Sequence, residues 1–216
     1  SATRTESAWS IRELLGNRNF WLLTVGVGLL FGSDQAIMAS QVPYFQDLGI
    51  SLPAASMIVS CMTLSAVVGK LIVGALADRV DLRFLFLGIT VAHVGLLLVY
   101  IMQPGYWLLL AFVSLMGIAV GGVYPVWTTL IAWHFGAQSF GTVMGCMVIL
   151  MKPLAMLALY FIGDVHDRTG SYQQGFAVLL IAVCIAAGMV YALRRPEQAA
   201  TMQQSASGTA AVTPSE

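Results

Sequence analysis

Two charged side chains lie deep within long apolar runs of the sequence, and their types suit them to binding ions. Asp34 lies more than three helical turns after Trp21, and Lys152 lies more than three helical turns after Phe140. At about 1.5 Å per helical residue, each would lie roughly 18–20 Å along its helix, near the middle of a bilayer. A charge at that depth costs about 2.5–3.5 kcal/mol on insertion scales, so each charge requires a specific role.

Three interpretations of Asp34 and Lys152 are open. The two side chains form a structural ion pair, or both face a transport cavity, or their positions are unrelated. In the cavity, Lys152 would bind an anionic substrate while Asp34 holds or releases a proton. The first two interpretations are compatible, because an ion pair that substrate or a proton breaks would couple the two ligands.

Other polar and aromatic side chains form stripes along single helical faces. Gln41 lies two helical turns after Asp34, and Tyr124 and Trp127 lie one turn apart on a later segment. Such stripes line a cavity or join helices through hydrogen bonds. We predict that Gln41, Tyr124 and Trp127 contribute to substrate binding. For His93, the sequence favours a structural, hydrogen-bonded role over a proton relay.

Composition indicates that lipid surrounds most of the chain. Apolar residues make up 58% of the sequence and charged residues only 9%, against about 25% in soluble domains. The net charge is zero, which gives no indication of nucleic-acid binding. The three cysteines lie in apolar runs without metal-ligand spacing, so no metal or cofactor is predicted.

The chain divides into three parts. Residues 1–19 are predicted to be a cytoplasmic linker with a short amphipathic helix, because Ile11, Leu14 and Leu15 recur at helical spacing. Residues 20–195 are predicted to form a transmembrane bundle, and residues 196–216 a disordered cytoplasmic tail. The six apolar segments expected to span the membrane are 20–46, 53–77, 84–102, 106–133, 140–163 and 175–193.

The loop cations predict the orientation of the bundle. With a cytoplasmic N-terminus, the outer side holds only Arg168. The inner side holds Arg4, Arg12, Arg18, Arg79, Arg83, Arg194 and Arg195. We therefore predict that both termini are cytoplasmic.

A repeated motif indicates how the six segments are organised. The pattern Gly-x-x-x-Asp-Arg occurs at Gly74–Arg79 and again, 89 residues later, at Gly163–Arg168. Both copies fall at the ends of predicted helices, three helices apart, so they lie on opposite membrane faces. This is an inverted-topology repeat, the architecture of many secondary transporters. The predicted fold class is therefore an all-α membrane protein of six transmembrane helices in two inverted three-helix repeats.

The residues around the first motif resemble those of a known family. Gly74, Asp78, Arg79 and Arg83 are similar to the loop signature of the major facilitator superfamily, with Asp81 in place of a glycine and Leu82 in place of a basic residue. Further segments resemble the monocarboxylate-porter and oxalate-formate-antiporter-like members. These segments are residues 18–21, 42–50, 134–136, 141–145 and 167–172.

The resemblance implies the C-terminal half of a twelve-helix transporter, with a missing N-terminal half as its partner. It also implies that Gly74, Asp78, Arg79 and Arg83 form a conformational switch loop. The simpler interpretation is that the two arginines only control the topology of the helices. Asp78 would end a helix where the backbone dipole is negative, so a positive group must face it. The expected function is alternating-access transport of a small organic anion, such as a monocarboxylate, with proton or counter-substrate coupling, in a bacterial inner membrane.

Two other classes of function are open. A standalone six-helix scaffold or oligomeric assembly would explain the lack of a second half in this sequence. An intramembrane enzyme using Asp34, His93 or His134 would need a nucleophile triad, a metal spacing or a paired acidic motif, and the sequence shows none of these.

Overall fold

The computed structural model describes residues 9–77 and 79–193, and its regular structure is α-helical. Asp78 and the predicted disordered tail lie outside the described residues. The helices within these ranges are α1 (Ile11–Leu15), α2 (Arg18–Asp47), α3 (Leu52–Ala77), α4 (Leu82–Met102), α5 (Tyr106–Phe135), α6 (Phe140–Thr169) and α7 (Gln173–Tyr191).

Helices α2 to α7 are long and apolar enough to cross a membrane, which confirms the six predicted spans. Each of α2, α5 and α6 has 30 residues. A helix of that length is about 45 Å long, whereas the hydrocarbon core of a bilayer is about 30 Å thick. These three helices therefore extend beyond the hydrocarbon core even when tilted.

Local sequence determines where the helices begin and end. The Asn17 side chain accepts hydrogen bonds from the backbone N–H groups of Asn19 and Phe20 and so caps α2. Helices α5 and α6 end at Gly136 and Gly170, whose φ angles are 78° and 69°. A glycine adopts this left-handed conformation without steric cost, so both residues stop a helix cleanly.

The predicted end of the fifth span at residue 163 is wrong. Helix α6 continues for another helical turn and a half, to Thr169. The charged residues after Gly163 did not interrupt it, because Asp164 and Arg168 form an i,i+4 ion pair of 2.9 Å on the helix surface. The left-handed residue that ends α6 is Gly170.

The helices pack as two interlocked three-helix units. Helix α3 of the first unit (α2–α4) packs most extensively against α5, and α6 of the second unit (α5–α7) packs against α2. The pairs α2–α7 and α5–α4 are likewise equivalent, and α4 meets α7. Exchanging the two units therefore leaves this pattern of helix contacts unchanged, which confirms the inverted repeat.

The repeat extends to individual contacts. On α2, Gly28 and Gly32 allow close approach of α6, and the residues 89 positions later, Gly117 and Gly121 on α5, allow close approach of α3. Their partners keep the same spacing. A side chain at the α2 glycines would meet Met151, Leu154, Ala155 and Ala158, and one at the α5 glycines would meet Met62, Ser65 and Ala66. Met151, Leu154 and Ala155 correspond to Met62, Ser65 and Ala66 at an offset of 89 residues.

Small residues are used at these crossings because lipid offers no hydrophobic drive for helix association, so close backbone packing must supply the attraction. Gly141 and Gly145 of α6 have the same four-residue spacing, but no other part of the described chain lies within 4 Å of the position that a side chain would take there. These two glycines therefore make no close helix crossing within the described residues.

Candidate coupling and substrate site

Asp34 of α2 and His93 of α4 are hydrogen-bonded across the first three-helix unit. The Oδ1 atom of Asp34 lies 2.7 Å from Nε2 of His93. The other ring nitrogen, Nδ1, lies 2.8 Å from the carbonyl oxygen of Ile89, one turn earlier in α4. The histidine side chain is fully buried, while the aspartate side chain is 12% exposed. This Asp34–His93 pair is the only ion pair between the interiors of two spanning helices in the described part of the chain.

The interpretation of Asp34 and Lys152 as an ion pair is not supported, since no contact within 4 Å joins their charged groups. Helix geometry gives the reason. Helix α2 meets α6, which carries Lys152, along the face of Gly28 and Gly32. Asp34 is two residues beyond Gly32, which is about 200° around the helix, so it projects away from α6. Lys152 is exposed on the surface of the bundle.

Gln41 is fully buried rather than lining an open cavity. Its Nε2 atom donates to the hydroxyl of Tyr100 at 2.9 Å and approaches the sulfur of Met62 at 3.0 Å. Tyr44, one turn further along α2, donates its hydroxyl hydrogen to the Tyr100 carbonyl at 2.5 Å. These bonds join α2 to α3 and α4, so the structure gives Gln41 a packing role. Substrate binding by Gln41 stays a prediction.

Tyr124 and Trp127 form an aromatic corner with Phe31 of α2. The ring centroids of Tyr124 and Trp127 are 5.5 Å apart, and those of Trp127 and Phe31 are 5.9 Å apart, both with edge-to-face geometry. Tyr124 is exposed, whereas Trp127 is buried. The indole N–H of Trp127 has no acceptor among the described residues. A buried donor without a partner normally marks a place that water or a ligand satisfies.

The residues of the predicted switch loop occupy three different environments. Gly74 lies on α3 with open space around it, and Arg79 is exposed. Arg83, by contrast, donates from its guanidinium to the carbonyl of Leu193, which follows the end of α7. A cation at the C-terminal end of a helix is favoured by the helix dipole. Asp78 lies outside the described residues, so its expected partners stay a prediction.

The departure of the loop from the family signature at Asp81 has a structural reason. Asp81 is the N-cap of α4, and its carboxylate accepts from the backbone N–H of Arg83 at 2.9 Å. Aspartate is among the best N-cap residues, because its side chain satisfies an N–H that the helix leaves unpaired. The substitution therefore keeps the turn and strengthens the start of α4.

A second histidine–aspartate contact lies at the end of the bundle opposite to the switch loop. His166 near the end of α6 lies 2.8 Å from the carboxylate of Asp47 at the end of α2, and its ring stacks on Tyr172 with centroids 4.1 Å apart. Burial, together with the nearby carboxylates of Asp47 and Asp167, raises the pKa of Tyr172 above its ordinary value. Both members of this second pair are partly exposed, unlike His93.

The contact between Asp34 and His93 was not predicted from the sequence. The expectation that His93 is hydrogen-bonded is confirmed. The sequence did contain a signal for its partner, because α2 and α4 run in the same direction. His93 lies just past the midpoint of α4, and Asp34 lies just past the midpoint of α2. Comparing depths along parallel helices would have paired these two polar residues.

Comparison with known families decides what kind of protein this bundle belongs to. The family model for the Major Facilitator Superfamily matches residues 20–214. The chain belongs to this superfamily. The match covers all six spanning helices, so these helices are half of a major facilitator fold and the chain is an integral, multi-pass membrane protein.

Curated relatives of this superfamily member are transporters. The cyanate transport protein CynX of Escherichia coli (strain K12) is 25% identical over 182 residues, which are 81% of this chain and 45% of the relative. The putative metabolite transport protein YncC of Bacillus subtilis (strain 168) is 26% identical over 84% of this chain and 40% of its own length. A D-xylose transporter of Levilactobacillus brevis is 26% identical over 76% of this chain and 36% of its own length.

The chain spans less than half the length of each of these relatives. Their names refer to cyanate, an unspecified metabolite and D-xylose, so they do not confirm the monocarboxylate or oxalate subfamily. That subfamily stays a prediction.

Proposed function

We propose that this chain is the C-terminal half of a secondary active transporter that moves a small organic anion by alternating access. Proton or counter-substrate coupling drives the movement. The observation that carries the choice of an anion is Lys152, an exposed cation in the middle of a spanning helix with no counter-ion among the described residues. A monocarboxylate is the substrate class that we would test first.

Lys152 lies near the middle of α6, about 18 Å along the helix. Its ammonium group makes no ion pair with any residue of the described chain. Facing lipid at this depth, an unpaired ammonium would cost several kcal/mol, so the surface that carries Lys152 should face water or protein. A water-filled cavity with a fixed positive charge attracts small anions.

The aromatic corner supplies a second polar group that lacks a partner. The Trp127 N–H donor has no acceptor in the described chain, and the neighbouring Tyr124 is exposed. A carboxylate-sized ligand would accept a hydrogen bond from the indole while the aromatic rings cover its apolar part. Lys152, Trp127 and Tyr124 are therefore the residues that we assign to the substrate. One relative is named for cyanate, itself a small anion, which supports this choice.

An N-terminal six-helix half is the proposed partner of two helices. Of the six spans, α3 and α6 are the least buried within this chain. Each also exposes polar side chains at membrane depth, namely Ser56, Ser60 and Thr63 on α3 and Lys152 on α6. Polar side chains in spanning helices normally face protein or a cavity, so a second six-helix half would cover these faces.

The switch loop would meet the same partner. We take the protein to lie in a bacterial inner membrane with both termini in the cytoplasm. The switch-loop residues Gly74, Asp78, Arg79 and Arg83 would then lie at the cytoplasmic end of the bundle. Asp78 would contact a positive group of the N-terminal half in one state of the transport cycle. Gly74 has open space around it in this chain, which leaves room for a close helix contact there.

Uptake of labelled acetate, pyruvate, cyanate and D-xylose into liposomes containing the full-length protein tests the proposal. We expect carboxylate uptake in the wild type and a loss of about 10- to 150-fold in apparent affinity for Lys152→Gln, since a hydrogen bond to a charged group contributes about 1.5–3 kcal/mol. Lys152→Arg should retain part of the affinity because it keeps the charge.

Lys70→Gln is the matched control, since Lys70 is also an exposed lysine of a spanning helix but lies within two turns of the end of α3. It should leave uptake unchanged. Equal carboxylate uptake by the wild type and Lys152→Gln would refute the anion site. Uptake of D-xylose alone would indicate a transporter of neutral solutes, and no uptake of any solute would favour a scaffold.

A further inference from the structure

We propose that Asp34 and His93 together form a binding site for a single proton, and that this site is the proton-coupling element of the transporter. The proposal rests on the proposed transport function and names the side chains that would link it to a proton gradient. Its basis is the hydrogen-bond geometry of the pair. That geometry requires one proton more than a neutral imidazole and an ionised carboxylate hold together.

The first step concerns the Nδ1 atom of His93. It lies 2.8 Å from the Ile89 carbonyl oxygen, which can only accept a hydrogen bond. The Nδ1 atom must therefore carry a hydrogen. In the neutral imidazole this leaves Nε2 without a hydrogen, as an acceptor.

The second step concerns the Asp34 carboxylate. Its Oδ1 atom lies 2.7 Å from Nε2, and an ionised carboxylate is also an acceptor. Two acceptors at that separation repel each other, so one proton must lie between them. The pair is then either imidazolium with carboxylate or imidazole with carboxylic acid. In both forms its net charge is zero, which suits a site inside a membrane.

Loss of this proton would leave one negative charge on the pair and no hydrogen bond between the two side chains. An uncompensated charge next to a buried ring is costly, so the Asp34 carboxylate would move towards water. The aspartate side chain is already 12% exposed, whereas the histidine side chain is fully enclosed. Proton release therefore favours separation of α2 from α4 at this point, and proton uptake favours the contact that the structure shows.

Among the described residues, no other charged side chain forms an ion pair with Asp34 or His93 and so could replace the proton. Within the described part of the chain, the hydrogen bonds and ion pairs of Asp34 and His93 are those with each other and with Ile89. Several other titratable or charged side chains lie on α2 and α4 and on the helices packed against them. They are Arg12 and Glu13 of α1, Arg18, Tyr44 and Asp47 of α2, Cys61 and Lys70 of α3, Arg83 and Tyr100 of α4, Tyr106, Tyr124 and His134 of α5, Cys146, Lys152, Tyr160, Asp164, His166, Asp167 and Arg168 of α6, and Cys184 and Tyr191 of α7.

Nuclear magnetic resonance of the full-length protein in liposomes, with ¹⁵N-labelled histidine rings, tests the site without any substrate. His93→Gln identifies the signals of that ring. In the wild type we expect His93 to keep Nδ1–H throughout and to lose a proton shared between Nε2 and Asp34 in a single step as the pH rises. Asp34→Asn should abolish that step, because the asparagine amide donates to Nε2 and holds the ring in the neutral Nδ1–H form.

Asp47→Asn is the matched control, because it changes the exposed pair with His166 and should leave the His93 signals unaltered. A neutral His93 beside an ionised Asp34 across the whole pH range would overturn the proposal. So would a proton that is never released while the protein stays folded, or an unchanged titration in Asp34→Asn.

Transport measurements separate this proposal from the anion site. If the site drives transport, Asp34→Asn should still exchange substrate between the two sides. Its accumulation driven by a pH gradient should fall to the level measured without a gradient. Proton titration with unaltered gradient-driven uptake in Asp34→Asn would overturn the coupling role. Gradient-driven uptake that depends on Asp34 but not on Lys152 would retain the proton site and refute the anion site.

Discussion

The contact between Asp34 and His93 should stabilise the fold through one hydrogen bond that asparagine can replace and alanine cannot. Asp34→Ala leaves the Nε2 atom of a fully buried ring without a partner. Hydrogen bonds that involve a charged group contribute about 1.5–3 kcal/mol. Because Asp34 is partly exposed, we take a value near the middle of that range. The expected loss is about 2 kcal/mol in the free energy of unfolding, or roughly a 30-fold change in the unfolding equilibrium.

Asp34→Asn should cost no more than about 1 kcal/mol, because its amide donates a neutral hydrogen bond to Nε2 and fills the same space. The measurement is reversible unfolding of the full-length protein in mixed micelles with increasing SDS, followed by circular dichroism. The pH is set where the wild-type pair holds its proton. His93→Ala and the double variant Asp34→Ala/His93→Ala complete a double-mutant cycle, which should give a coupling energy of about 1.5–2 kcal/mol.

Equal destabilisation by Asp34→Ala and Asp34→Asn would refute the reasoning, since the asparagine amide would then not replace the hydrogen bond to Nε2. Additivity within about 0.5 kcal/mol in the cycle would mean that the two side chains do not interact in the membrane.

Two further predictions concern helix packing and the exposed contact between Asp47 and His166. Gly121→Ala should lower the free energy of unfolding by about 1–3 kcal/mol, because its Cβ would overlap the backbone of Ala66, whereas Gly88→Ala on open α4 surface should raise it by up to about 1 kcal/mol. Equal shifts in the same unfolding assay would contradict this. Asp47→Asn should lower the raised pKa of Tyr172 towards its ordinary value, as measured by tyrosinate absorbance against Tyr172→Phe. Since that pKa is raised in the fold, the stabilisation is present below the unfolded pKa, about 10, and is lost as the pH rises through the folded value. An unchanged titration in Asp47→Asn would refute the electrostatic contribution of that carboxylate.

The spanning helices were predictable because the signal for each is its own length and hydropathy. Their ends were predictable where a glycine or a cap stands at the boundary, as at Gly136. The end of α6 was not, because the charged run after Gly163 resembles a loop when each charge is considered alone. Paired at i,i+4 spacing, Asp164 and Arg168 continue the helix to Thr169.

Side-chain partners were less predictable than depths, because a depth depends on one helix and a partner depends on two. Asp34 and Lys152 reach similar depths, yet the crossing at Gly28 and Gly32 turns Asp34 away from α6. Gln41 lies on the same polar stripe, but Tyr100 of a different helix determines that it is buried. Predicting these contacts requires the rotation of each helix about its axis, which the small residues at helix crossings specify only once the packing partner is known.

The inverted repeat separates residues needed for packing from residues retained for another purpose. Glycines at the helix crossings recur at an offset of 89 residues, because both units must solve the same packing problem. The candidate functional residues do not recur. The positions equivalent to Asp34, His93 and Lys152 hold Val123, Ala182 and Thr63.

Apolar or small residues would therefore satisfy packing at the positions of Asp34, His93 and Lys152, as they do at the equivalent positions of the opposite unit. A charge that the fold does not need, at a depth where it costs free energy, requires a compensating role. The first unit places such charges at Asp34 and His93, and the second unit places one at Lys152. Under the two proposals, this division would place the proton in the first unit and the anion in the second, so relative motion of the two units would change the distance between the two sites.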